Sequence, residues 1–421
     1  MTSAPPGPAR RLGTGDAVVI GLGSMIGAGV FGAFAPAARA AGSGLLLALG
    51  LAALVAYCNA VSSARLAALY PASGGTYVYG RKRLGDFWGY LAGWGFVVGK
   101  TASCAAMALT AASYAAPGAG RPLQTAVAVA AVAALTALNY RGVRKSARLS
   151  RVIVAAVLLV LAGAVAGALL GGQASAARIG PLGGTGAGGV LQAAGLLFFA
   201  FAGYARIATL GEEVKDPRRT IPRAIPLALA ITLAVYSAVA VALLVSLGPR
   251  GTARAADPLA EAVTTGPWPW LEPVVRAGAA TAALGSLLAL VLGVSRTVFA
   301  MARDGHLPGF LGAVHQRYRV PHRAETVVGA AVVVLVCTAD LRGAIGFSSF
   351  AVLVYYAIAH ASAWTLRADE GRPPRLVPVL GLAGCLALAF SLPASSVVAG
   401  TVVLAVGAGV WWIRAVVRGS G

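Results

Sequence analysis

Ile20-Gly21-Leu22-Gly23-Ser24-Met25-Ile26-Gly27-Ala28-Gly29-Val30-Phe31 is apolar enough to lie in a membrane, yet it carries four glycines where a continuous helix is expected. A second stretch has the same character: Phe198-Phe199-Ala200-Phe201-Ala202-Gly203-Tyr204. Lipid offers no hydrogen bonds, so an interrupted helix survives at membrane depth only where it lines a protein cavity. Two such interruptions at corresponding places in two halves of a chain point to a solute site between them.

The composition fits that setting. Hydrophobic residues are 58% of the 421 and charged ones 11%, against about 25% charged in a soluble domain. Mean hydropathy is +0.80. With about 20 apolar residues needed per crossing, the chain divides into about twelve spans: 16–37, 43–70, 87–115, 123–139, 152–171, 188–211, 224–247, 273–302, 325–339, 344–366, 376–392 and 394–414. Those at 123–139, 325–339 and 376–392 are short. The expected class is an all-α polytopic membrane protein.

The net charge of +21 is distributed by loop. Basic clusters such as Arg81-Lys82-Arg83, Arg141 to Arg151 and Lys215 to Arg223 recur after every second span. Twenty-three basic residues fall on one side and seven on the other. Positive loops stay inside, so both termini are expected in the cytoplasm and the chain in the cell membrane. The charge then reflects topology and attraction to anionic lipid rather than nucleic acid. Cys58, Cys104, Cys337 and Cys385 show no paired spacing, which predicts free thiols.

The first interrupted span opens a block of five spans, and the second opens another five. Five is odd, so the blocks enter the membrane with opposite orientation, as an inverted repeat requires. The expected organisation is a cytoplasmic tail at 1–14, repeats at 15–175 and 185–368, and two further spans with a short C-terminus at 374–421. The Pro-rich stretch 249–273, with Trp268 and Trp270, reads as the longest outward loop.

Unwinding at the first interruption frees amides around Ile26, Gly27, Ala28 and Gly29, and the helix beyond turns its positive end to the gap, a place for a carboxylate. Gly27 to Gly32 also matches G-x-G-x-x-G, but no strand precedes it, so no dinucleotide site is read there. Unwinding near Gly203 exposes the carbonyls of Phe199, Ala200 and Phe201 to an ammonium group. Donors facing acceptors suit the two charges of an amino acid. Phe199, Phe201, Tyr204 and Arg206 are the candidate gate residues. Helix packing through small residues accounts equally well for the glycines alone.

Lys100 lies mid-span, one of four lysines against thirty arginines. An ionisable group at that depth is a functional candidate by default: Lys100 is the leading candidate for proton coupling or for a permanent substitute for a sodium ion, the alternative being a structural lysine bonded to helix carbonyls. Arg206 pairs with Glu212 or Glu213 or reaches for the membrane surface. Arg296 reads as an anchor or gate. Ser286 and Thr281 offer oxygens to a sodium ion, although hydroxyls commonly bond back to their own helix. No cofactor is expected.

The chain resembles the amino acid–polyamine–organocation superfamily of transporters, most closely the cationic-amino-acid-transporter branch and its bacterial relatives. The likeness rests on Ile26-Gly27-Ala28-Gly29-Val30-Phe31; on Pro71 to Tyr79 with Gly93-Trp94; on Phe199 to Tyr204 with Ile207 to Glu213 and Asp216 to Ile225; and on Ser295-Arg296 with Met301 to Pro308. It implies the leucine-transporter fold, five plus five helices and two more, working by alternating access. It places a substrate carboxylate on Gly27, Ala28 and Gly29, the amino group on carbonyls at Phe199, Ala200 and Phe201, and the gate at Phe199 or Phe201.

This sequence departs from the pattern twice. Many relatives carry an acidic residue where Ala205 stands, and its absence favours a neutral amino acid. Proton-coupled relatives carry a lysine in the fifth helix, where Val154 to Leu158 has none. Either Lys100 takes over that role from the third span, or the protein exchanges or uniports; the expected activity is proton-coupled uptake of a neutral amino acid. The alternatives are an amino acid–amine or polyamine exchanger, or a sensor that binds without transporting. No catalytic constellation is read, and the expected partners are the small solute and lipid.

Overall fold

The computed structural model describes residues 12–71, 74–142, 147–171, 174–180, 186–208, 210 and 213–419. Most of the N-terminal tail, the basic residues Arg10, Arg11, Arg144 and Lys145, and Ala72, Ser73, Thr209, Gly211 and Glu212 of the quoted motifs lie outside the described residues.

Every span of the sequence reading is a helix. Among the described residues ten are long and apolar enough to cross a membrane. Spans 9 (His322–Thr338, 17 residues) and 11 (Leu376–Ser391, 16 residues) are shorter. Span 4, read as short, has 20 residues, Arg121–Tyr140. Span 1 runs past its expected end to Ala41, and only the turn Gly42–Gly44 separates it from span 2, Leu45–Leu69. Spans 3 (Asp86–Ala115) and 10 (Leu341–Trp364) are the most enclosed, whereas spans 4, 5 and 12 keep their apolar side chains outward. A bundle in lipid gains nothing by hiding leucine, so the outer helices stay greasy while small residues let the inner ones close up.

The first interruption is present. Span 1 comes as Thr14–Met25, Ala28–Gly32 and Phe34–Ala41. At the break Ile26 has φ −81°, ψ 64° and Gly27 has φ −129°, ψ −130°. The second is milder than the sequence predicts. No unwound stretch lies at Gly203; Gly186–Phe201 tightens into a 3₁₀ turn, Ala202–Tyr204, and continues as Ala205–Ala208. Bonding to the third rather than the fourth residue still frees carbonyls locally. Tight packing keeps this stretch wound, because the crossing helix leaves no room for an excursion.

The two interruptions cross in contact. A Cβ on Gly29 would lie 2.6 Å from the Cα of Ala200, and one on Gly203 would overlap the Ser24 carbonyl. The outward loop is not irregular either: 249–273 carries short helices at Gly248–Arg254 and Pro258–Thr264 and a turn at Pro269–Leu271. A proline in the first turn of each suits a helix start, where its missing N–H costs nothing.

Two of the quoted motifs meet at the end of the bundle that carries the basic loops. Gly75 turns the chain at φ +57°, a conformation open to glycine, and starts the helix Thr76–Arg83. From that helix Tyr77 donates to Asp304 at 2.5 Å, and its oxygen lies 2.8 Å from His306 Nδ1. Arg81 binds Asp304 at 2.6 Å and Asp86 at 3.0 Å. Outside the spans, Arg83 bonds Glu370 and holds its carboxyl below the usual range. Leu12 pairs in a single parallel bridge with Val214, tying the start of the described chain to the loop after span 6.

A buried polar knot joins spans 2, 10 and 11. His360 Nε2 lies 2.5 Å from Asn59 Oδ1, its Nδ1 lies 2.9 Å from Ser62 Oγ, and Cys385 donates to Asn59 at 3.1 Å. Gly381 sits flat on the imidazole, where no side chain fits. His360→Leu is expected to cost about 1–3 kcal/mol, the penalty for stranding buried partners. A lowered thermal midpoint in detergent would register it. The four cysteines are free.

Candidate functional site

A cavity of ≈ 70 Å³ lies where spans 1, 3, 6 and 8 meet. One water needs roughly 10–15 Å³ on the same scale, so the space has room for several. Its wall is Ser24 from span 1; Phe96, Lys100, Ser103 and Met107 from span 3; Phe199, Ala202, Gly203, Ala205 and Arg206 from span 6; and Ser286, Ala289, Leu290 and Gly293 from span 8.

Chain direction says which half of the bundle this is. Span 1 leaves the basic end, and Ser24 precedes its break. Spans 6 and 8 run toward the basic end, and Ala202 to Arg206 and Ala289 to Gly293 lie in their later parts. The cavity therefore sits between the breaks and the basic end. On the far side the bundle is shut. Tyr114 donates to the Phe31 carbonyl at 3.2 Å and meets its ring edge-on, and Tyr236 packs between Phe34 and Phe201. Arg39 donates to the Ala253 carbonyl at 2.9 Å, clamping span 1 to the short helix Gly248–Arg254. Arg276 bonds both Asp257 and Glu272. Asp257 lies outside the spans and is nearly buried; burial pushes its carboxyl up against the opposing pull of Arg276.

The carbonyls freed by the two breaks are held by side chains. Ser286 donates to Gly23 at 3.0 Å. The Tyr236 hydroxyl is 2.6 Å from the Met25 carbonyl and 3.0 Å from that of Ala200. It has one proton, so the shorter contact takes it best and the longer shares it. Lys100 donates to the Ala202 carbonyl at 3.3 Å from a side chain that is 6% exposed. Ser103 lies 2.6 Å from Ser348 of span 10. Among the described residues the wall holds two cationic side chains, Lys100 and Arg206, and no carboxylate. Glu213 acts on Arg206 from outside the cavity.

The expected site residues are thus divided. Lys100, Phe199, Gly203 and Arg206 line the cavity. Ile26, Gly27, Ala28 and Gly29 do not; they are buried in the helix crossing, with Gly27 against Ser286 and Gly29 against Ala200. Ala200 and Phe201 face the same crossing, the latter edge-on to Tyr236 at 5.2 Å. Tyr204 points away and stacks on Tyr356 at 5.3 Å. Thr281 does not line the cavity, whereas Ser286 does. The sequence reading missed Tyr236, Ser24, Phe96 and Ser103. Tyr236 is the single aromatic of span 7, Pro217–Ser246, and that isolation was the one available signal.

The chain matches the family model described as amino acid permease over residues 12–418. It is 68% identical over 408 residues to an uncharacterized transporter of Mycobacterium tuberculosis, covering 97% of this chain and 92% of that one. It is 26% identical over 412 residues to the branched-chain amino acid permease BcaP of Bacillus subtilis, covering 91% and 88%. It is 27% identical over 387 residues to cationic amino acid transporter 4 of Homo sapiens, covering 87% of this chain and 61% of that protein.

Proposed function

We infer the function from one premise: the chain belongs to the amino acid permease family. It is a transporter, and we propose that it carries a neutral amino acid into the cell with a proton, by alternating access. The basic end is the cytoplasmic end, by the positive-inside rule. The two interrupted spans open two inverted repeats, 15–175 and 185–368.

The observation that carries this reading is the cavity wall, which among the described residues has two cations and no carboxylate and is bounded by the two crossing breaks. A substrate with net positive charge would meet Lys100 and Arg206, while no carboxylate among the described residues lines the wall to receive it, and like charges repel strongly where little water screens them. A carboxylate meets the opposite field. The amides of Gly27, Ala28 and Gly29 and the carbonyls of Phe199, Ala200 and Phe201, most of them closed off in the crossing here, are the groups that hold the two ends of the amino acid once the crossing parts. Phe199 is the gate ring that already touches the cavity. Lys100 is the coupling group: its ammonium holds the turn of span 6 through Ala202, so a change in its charge loosens the second break.

Purified protein in liposomes, offered each of the twenty amino acids and putrescine at two pH values with and without sodium, tests this. Accumulation of a neutral amino acid such as L-leucine under an inward proton gradient, unaffected by sodium, is expected. Preference for arginine, lysine or putrescine would overturn the substrate class. Binding without flux would make the protein a sensor.

A further inference from the structure

Glu325 is the one carboxylate of the described residues that is fully buried, at 0% exposure. Neither of its side-chain oxygens has a hydrogen-bond partner. It sits in the first turn of span 9, His322–Thr338. Span 9 packs on spans 3, 4 and 8 and on the turn Gly309–Gly312. Of the titratable and charged side chains on these elements, Arg296 of span 8 is the one that acts on it. The hydroxyl of Thr136 in span 4, also without a partner, lies against Gly329, one turn further along span 9.

Arg296 has a second relation. Ala289 and Gly293 line the cavity, and Arg296 follows them at helical spacing on the same face of span 8, one turn nearer the basic end. Its side chain is exposed, and its charge acts on Arg206 in the cavity wall as well as on Glu325. Arg296 thus stands between the cavity and the buried carboxylate, without a salt bridge to it.

An ionised carboxylate here would lose its hydration, and the amide dipoles of the first helical turn would offset only a small part of that penalty. The acid form wins while Arg296 stays in solution. If Arg296 swings onto Glu325, the pair supports the ionised form and the proton leaves.

We propose that Glu325 is a protonation site of the transport cycle, taking up and releasing one proton at the basic end as Arg296 withdraws from it or pairs with it. The reaction is a plain proton exchange, carboxylic acid to carboxylate and proton. The proposal rests on the reading of proton-coupled uptake and adds to Lys100, at the break, a second group nearer the basic end. Arg296 supplies the link: a substrate carboxylate passing Arg206 competes for the same guanidinium.

Two measurements on the full-length protein test it. In liposomes carrying Glu325→Gln, the accumulation of L-leucine driven by an inward proton gradient is expected to be lost, about tenfold per pH unit of gradient. Exchange of labelled for unlabelled L-leucine at equal pH persists, which shows that the variant is folded. Glu325→Asp restores gradient-driven accumulation in part. Infrared difference spectra at neutral pH are expected to contain a carboxylic-acid C=O band that Glu325→Gln removes. Gradient-driven accumulation intact in Glu325→Gln, or a band that survives the substitution, would overturn the proposal. If the unaltered protein moves no amino acid, the transport reading fails, and the infrared band still decides whether Glu325 holds a proton.

Discussion

Gly203→Ala is expected to impair transport severely. The added methyl would sit 2.5 Å from the carbonyl carbon of Ser24 and 2.7 Å from the amide nitrogen of Met25. Both are backbone atoms of the other interrupted helix, so no side chain can rotate away. Forcing extra volume into such a contact costs about 1–3 kcal/mol. The strain falls on the crossing that borders the cavity, and on Ser24 and Gly203, which both line it. Uptake should fall at least about tenfold, the rate equivalent of roughly 1.4 kcal/mol, with a lower thermal midpoint. Gly50→Ala is the control, since nothing lies within 4 Å of a side chain there. Normal uptake by Gly203→Ala would show that the two helices do not need this approach.

Lys100→Ala is expected to uncouple transport from the proton gradient. The ammonium is nearly enclosed, borders the cavity and holds the Ala202 carbonyl of the 3₁₀ turn. Alanine leaves that carbonyl to water and removes the charge beside it. A proton gradient of one pH unit is worth about 1.4 kcal/mol, or tenfold accumulation. The variant should lose that gain while still equilibrating substrate across the membrane. A merely structural lysine predicts a different outcome: lower stability with the pH dependence of uptake unchanged. Measuring uptake against pH beside the thermal midpoint separates the two.

Much of the architecture was legible in the chain. The breaks at Ile26-Gly27 and near Gly203 are where the glycines place them. The short spans 9 and 11 were visible as short apolar runs. The unwinding read at Gly203 was too strong, because a glycine reports that backbone must come close and not what the backbone does when it arrives. Here it admits the Ser24 carbonyl, and the helix tightens instead of opening. Ile26 to Gly29 were read as cavity groups for the same reason; the glycines there serve the crossing in this conformation.

Glu325 shows the limit from the other side. In sequence it stands among His322, Arg323 and Thr326 at the edge of a span, an ordinary place for a solvated acid. Only the packing of spans 3, 4 and 8 around it takes away its water.

The sequence alone determined the membrane class, the run of apolar spans and the places where two of them falter. Those follow from the transfer of each residue into lipid and from backbone groups that must bond locally, and both are properties of short stretches. The tertiary structure decided which freed carbonyls Tyr236, Ser286 and Lys100 hold, on which side of the crossing the cavity lies, and that one carboxylate is sealed without a partner. Those depend on contacts between residues far apart in the chain, whose geometry no local pattern encodes.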